Sequence, residues 1–154
     1  MIKNDQQMKI TEQKLAGMKT QLEAMKKKYP KRDEFQFYSE TTQRHVEDMK
    51  RELHYYRLAK RGAADALLKI WNTKGAIHPV DKTSLSLGDF ISLMRVARRL
   101  TQDQLAATMG LDQAHIARYE RSDYTGYTID TLDRIFHALQ LRLTLGKLKL
   151  PEAA

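Results

Sequence analysis

Apolar positions in the first 61 residues fall into two narrow stripes. Met8, Leu15 and Leu22 lie seven apart, as do Met18 and Met25, so they form a heptad seam interrupted by Thr11. Lys9, Lys14, Lys19 and Glu23 fall on the other face. The run ends in Lys26-Lys27-Lys28, where cations suit the carbonyl-rich end of a helix, and Pro30 stops it. A second seam, Val46, Met49, Leu53 and Tyr56, predicts another long helix. With a connector of about a dozen residues, Tyr29 to Glu40, the pair is expected to fold back as an antiparallel hairpin. Each stripe is too narrow to be buried alone. The partner must be the other helix, a second chain or the C-terminal part, and the plainest role is a spacer or dimer arm.

Ala63 to Asn72 predicts a short helix with Leu67, Leu68 and Trp71 apolar. Gly75 to Leu85 gathers Gly, Pro, Asp, Thr and Ser, as a linker does. The pattern then tightens into shorter units. Ser86 is placed to cap a helix with Asp89 in its first turn, and Phe90, Leu93, Met94 and Ala97 mark one face up to about Arg99. Thr101 caps a helix from Gln102 to Met109, with Leu105, Ala106 and Met109 inward. Gly110 sits where the chain needs positive φ. Asp112 caps a third helix, Gln113 to Arg121, with Ile116 and Tyr119 inward, and a fourth runs from about Asp130 to Gln140. Two short helices around a three-residue glycine turn are the signature of a helix-turn-helix, and Ala106 is small where the two must cross closely. Leu141, Leu143 and Leu145 alternate with polar residues and predict a strand. It must pair with Ala76 to Val80, with its own copy in a second subunit, or with another protein.

Charge and composition narrow the classes. The net charge is +8, of which residues 1–61 carry +6 and residues 62–154 carry +2. Lys26, Lys27, Lys28, Lys31 and Arg32 suit either nucleic acid or a solvated helix end. Cysteine is absent, which excludes a disulfide scaffold, a thiolate metal site and a cysteine nucleophile. No apolar run approaches the ~20 residues of a membrane span, and no apolar core follows the first charges, so neither membrane insertion nor secretion is expected. There is no G-x-S-x-G, no phosphate-binding loop and no H-E-x-x-H. His45, His54, His78, His115 and His137 lack metal-ligand spacing. Neither catalysis nor a metal or other cofactor is expected; a cytoplasmic protein with an acidic partner is.

The segment Leu100-Thr-Gln-Asp-Gln-Leu-Ala-Ala-Thr-Met-Gly-Leu-Asp-Gln-Ala-His-Ile-Ala-Arg-Tyr-Glu-Arg121 resembles the phage-repressor-like (Xre) helix-turn-helix family. The matching positions are Thr101-Gln102, Leu105-Ala106, Gly110, Gln113, Ile116 and Arg118-x-Glu120, and the likeness extends over about residues 86–145. The stretch from Leu132 to Leu145 also resembles HigA-type antitoxins. The first eleven residues resemble an Xre subgroup with a helical extension. The resemblance implies an all-α fold: a helical hairpin (1–61), a short helix and linker (62–85), a four- to five-helix lambda-repressor-like domain with a short C-terminal strand (86–146), and a tail (147–154).

It also implies roles. The third helix enters the major groove of double-stranded DNA, so Gln113, Ala114, His115 and Arg118 become the base-contacting positions. A glutamine amide suits adenine, a methyl suits thymine, and an arginine fork suits guanine. Gln102, Arg121 and Tyr124 become phosphate contacts. Arg95 and Glu120 occupy positions that pair structurally in the family. The function implied is a transcriptional repressor acting as a homodimer on an inverted repeat. The alternative is an antitoxin that neutralises a small toxin protein and represses its own operon.

Overall fold

The computed structural model describes residues 1–76 and 85–142, in which seven helices and one short strand pair are found. Helix α1 spans Asp5–Lys28, begins on the side chain of Asn4, and carries Lys26, Lys27 and Lys28 in its last turn. Helix α2 spans Arg32–Lys60, so the connector is Tyr29 to Lys31 and much shorter than the dozen residues expected. The sequence pattern misled because Phe35 to Glu40 lacks a seam that reads as helical. The acidic pair Asp33 and Glu34 nevertheless favours a helix start there, and Pro30 lies outside the new helix where its missing N–H is harmless. Tyr29 stacks on Tyr38 with ring centroids 4.4 Å apart, closing the tip.

The two helices pack against each other along their seams. None of α1 is fully buried, whereas α2 buries Val46, Leu53, Tyr55, Tyr56 and Ala59 because its second half also packs on the C-terminal helices. Asp5 anchors the open end, accepting from Tyr56 Oη at 3.1 Å and Lys60 Nζ at 2.8 Å. The Lys60 and Tyr56 contacts hold the Asp5 carboxyl below its usual range. Burial, together with this carboxylate, pushes the Tyr56 phenol up to about 12.

Helix α3 (Ala64–Lys74) buries Leu67 and stacks Trp71 on Phe90 at 4.9 Å. Strand β1 (Gly75–Ala76) pairs in parallel with β2 (Leu85–Ser86), tying together the two ends of the expected linker. Its interior, residues 77–84 with His78, lies outside the described residues. Helix α4 (Leu87–Ala97) starts on Ser86, whose Oγ accepts from the Asp89 amide at 3.0 Å. The expected inward face is buried, but so are Ile91 and Ser92. Every residue of α4 from Phe90 to Arg95 is enclosed, because α2 and α3 cover the side that a single amphipathic face would leave to water.

Helices α5 (Gln102–Thr108), α6 (Gln113–Arg121) and α7 (Ile129–Ala138) complete the domain. Leu105, Ala106, Ile116, Ile135, Phe136 and Leu139 join α4 in one core. Helices α2, α4, α5, α6 and α7 all stop in the same way. The residue after the cap is left-handed (Gly62, Arg99, Gly110, Asp123 and Gln140), and the amide of the next residue reaches back to the carbonyl five positions earlier. Leu100 reaches Arg95, Leu111 reaches Ala106, Tyr124 reaches Tyr119 and Leu141 reaches Phe136, each at 2.8–3.1 Å. These four are apolar or aromatic and pack against the core, so each stop is fastened by burial. Arg99, Asp123 and Gln140 adopt the left-handed conformation without glycine, at a cost of about 1–2 kcal/mol each.

Leu141 and Arg142 lie in neither helix nor strand, and Leu143, Leu145 and the tail at 147–154 fall outside the described residues.

At Gly88 helix α4 runs close against the backbone that follows α6. A Cβ there would lie 2.2 Å from the carbonyl oxygen of Asp123 and 2.6 Å from its Cα. The obstacle is backbone and cannot rotate away. Gly88→Ala is therefore expected to lower stability by about 1–3 kcal/mol or more. Urea unfolding checks this, and an unchanged midpoint would contradict the packing.

Candidate nucleic-acid interface

Helix α5 is set by a reciprocal cap: Thr101 Oγ1 accepts from the Gln104 amide at 3.1 Å, and Gln104 Oε1 accepts from the Thr101 amide at 2.9 Å. At its far end Gly110, with φ of +64°, turns the chain into α6, and Arg134 of α7 donates to the Met109 carbonyl at 2.7 Å. Asp112 occupies the cap position of α6, but its side chain makes no capping bond, contrary to expectation.

At 100° per residue, Gln113, Ala114, Ala117, Arg118 and Arg121 share one outward arc of α6, roughly 140° wide. Gln113, Ala114, Arg118 and Arg121 are exposed and Ala117 is half-buried, while Ile116 and Tyr119 are buried on the far side and Glu120 is buried beside Gln113, at the edge of the arc. Ala117 was not among the positions read from the sequence; the spacing of Gln113 and Arg121 about it was the available signal. The arc offers amide donors and acceptors, methyl groups and two guanidinium forks, the groups that suit base edges and phosphates.

Two expected contacts are placed elsewhere. His115 is half-buried and lies about 60° beyond Arg118, outside the arc, and its Nδ1 is buried without a partner among the described residues. It does not join the arc. Tyr124 is only 4% exposed, and its hydroxyl is buried. That burial raises its pKa and withdraws the group from any phosphate. Tyr124 closes the stop of α6 against Tyr119, so its role is packing.

Behind the arc lies a polar chain. Arg95 and Glu120, 7% and 2% exposed, pair across α4 and α6: Nε donates to Oε1, and Nη2 donates to Oε2 at 3.2 Å. Arg95 Nη1 also donates to the Leu100 carbonyl at 2.7 Å. Gln102 Nε2 donates to Glu120 Oε2 at 2.8 Å, and Gln102 Oε1 accepts from Gln113 Nε2 at 2.6 Å. Half-buried Gln102 thus joins the ion pair to the exposed amide at the head of α6. Gln113 keeps its Oε1 and a second N–H for another partner.

Residues 91–145 match the helix-turn-helix family. The described part of that segment, residues 91–142, is a helix-turn-helix domain of that family. The domain is DNA-binding and of the kind that transcription regulators carry. The match covers just over a third of the chain and leaves out the hairpin. Neither the curated proteins nor the solved structures include a match to this chain. Among the described residues no helix is long and apolar enough to cross a membrane, and no acidic, histidine or cysteine cluster is arranged to hold a metal.

The ion pair yields a direct test in the helix-turn-helix domain. Arg95→Met leaves the Glu120 carboxylate buried with only Gln102 to satisfy it, and is expected to destabilise the protein by about 3–5 kcal/mol. Arg95→Met combined with Glu120→Leu removes both charges and is expected to recover much of that loss. Calorimetry of the two variants decides; equal losses would contradict the assigned pairing.

Proposed function

We propose that the protein is a sequence-specific repressor that binds double-stranded DNA as a homodimer on an inverted repeat. The observation that carries this reading is the exposed arc of α6, backed by a buried ion pair and with the Gln113 amide already oriented by Gln102. In this reading α6 lies in the major groove. Gln113 pairs with adenine, Ala114 meets a thymine methyl and Arg118 forks onto guanine, while Arg121 and the start of α5 at Gln102 face the phosphates. A nine-residue helix reaches only a few base pairs, too few to single out one site in a genome, so two copies reading two half-sites supply the missing discrimination. The protein acts by occupying DNA in the cytoplasm. It catalyses no reaction and needs no cofactor.

A second reading, an antitoxin that silences a toxin and represses its own operon, is favoured by one feature. Phe37 and Tyr38 at the hairpin tip are 76% and 53% exposed, an aromatic surface suited to a protein partner. A small protein encoded beside this chain and co-purifying with it at fixed stoichiometry would support that reading.

Selection of bound sites from a random duplex pool tests the main reading and is expected to return an inverted repeat. Each bidentate base contact discriminates by about 1–3 kcal/mol, so Gln113→Ala should lower the ratio of selected-site to random binding by roughly 5- to 150-fold per half-site. The salt dependence should stay the same, because no phosphate contact is lost. Equal losses on selected and random duplexes would contradict base reading by Gln113.

A further inference from the structure

The residues ahead of α1 are woven into the fold. The Met1 amino group lies 3.5 Å from Glu52 Oε1 on α2, and Ile2 is 2% exposed within the core. Lys3 then reaches across to the far end of α6. Its Nζ donates to the main-chain carbonyl of Glu120 and pairs with Asp123 Oδ1 at 2.7 Å. Asn4 and Asp5 follow at once, the first capping α1 and the second gripping Tyr56 and Lys60. In five residues the chain binds α2 on one side and the end of the recognition helix on the other.

The groups that Lys3 touches need a cation. Glu120 lies in the last turn of α6, where its carbonyl receives only a long main-chain bond from the Asp123 amide, at 3.4 Å, and the helix end is partially negative. Asp123 and Tyr124 follow in consecutive left-handed conformations, with φ of +50° and +55°, which persist only where surrounding contacts hold them. The carboxylate of Glu120 is taken on the inner side by Arg95 and Gln102, and its carbonyl on the outer side by Lys3. One residue is thereby fixed by both its side chain and its backbone, and through Gln102 it communicates with Gln113.

We propose that Lys3 is a positioning residue for DNA reading: by holding the last turn of α6 it sets the angle at which Gln113, Ala114 and Arg118 meet the bases. The role is distinct from a phosphate contact, since the Lys3 side chain is 18% exposed and its ammonium is already engaged by a carbonyl and a carboxylate. It rests on the assignment of α6 as the base-reading helix, and it gives the N-terminal hairpin a mechanical connection to that helix.

The test uses the full chain with Lys3→Met, Lys3→Arg and the milder Asp123→Asn, which removes the partner and leaves the lysine. Hydrogen exchange without DNA follows the Asp123 and Tyr124 amides, which close the stop of α6. Titrations with the duplex selected by the wild-type chain and with a random duplex follow reading. The expectation is faster exchange at these amides in Lys3→Met and Asp123→Asn, and a several-fold loss of selected-over-random preference at an unchanged salt slope. Lys3→Arg, which keeps the charge and reach, should restore the preference. Unchanged exchange in both variants overturns the proposal. So does a uniform loss on both duplexes with the salt slope shallower by about one, the mark of a lost phosphate contact. If the wild-type chain selects no sequence, it is the DNA reading that fails, and the exchange data still decide whether Lys3 holds the helix end.

Discussion

Two charges buried against each other hold this molecule to one arrangement. Arg95 lies on α4, which is buried from Phe90 to Arg95, and Glu120 lies on the helix whose outer arc is open to solvent. An isolated buried charge is strongly unfavourable, and the pair is tolerated only because both ends are fully bonded. The guanidinium divides its donors between the carboxylate and the Leu100 carbonyl, and the carboxylate takes a further hydrogen bond from Gln102. Apolar contacts alone would let α6 slide or rotate by small amounts with little penalty, whereas a forked ion pair at this depth accepts one geometry. The direction in which Gln113, Ala114 and Arg118 point is therefore inherited from a contact that none of them makes.

The second constraint is how the helices stop. Five of them end in a left-handed residue followed by one whose amide reaches back to the helix. In the helix-turn-helix domain the residue that reaches back is Leu100, Leu111, Tyr124 or Leu141, and each belongs to the core or packs against it. Turning the chain and filling the interior are one event at these points. Gly88 adds a complementary demand, because α4 meets the Asp123 backbone so closely that no side chain fits between.

Much of this was legible in the residues. Ser86, Thr101 and Gly110 carry unambiguous local chemistry, and the structure uses each as its type predicts. The bounds of α6 also follow from its pattern. What stayed hidden depends on distant partners or on conformations the residue type does not advertise. Arg99, Asp123 and Gln140 turn left-handed without glycine. Ile91 and Ser92 are buried because α2 and α3 return to cover them, which no single-helix periodicity encodes. Tyr124 reads as a surface residue until its ring is seen to close the stop of α6. The contact of Lys3 with a backbone carbonyl 117 positions away has no sequence signature.

In the proposed reading the outward arc of α6 meets DNA while the hairpin holds the domain. Amide chemical shifts of the full, isotope-labelled chain titrated with its selected duplex test this most directly. The largest changes are expected at Gln113, Ala114, Ala117, Arg118 and Arg121, with the head of α5 at Gln102 moving alongside them. Changes concentrated at the hairpin tip between Lys26 and Tyr38, with α6 silent, would contradict it.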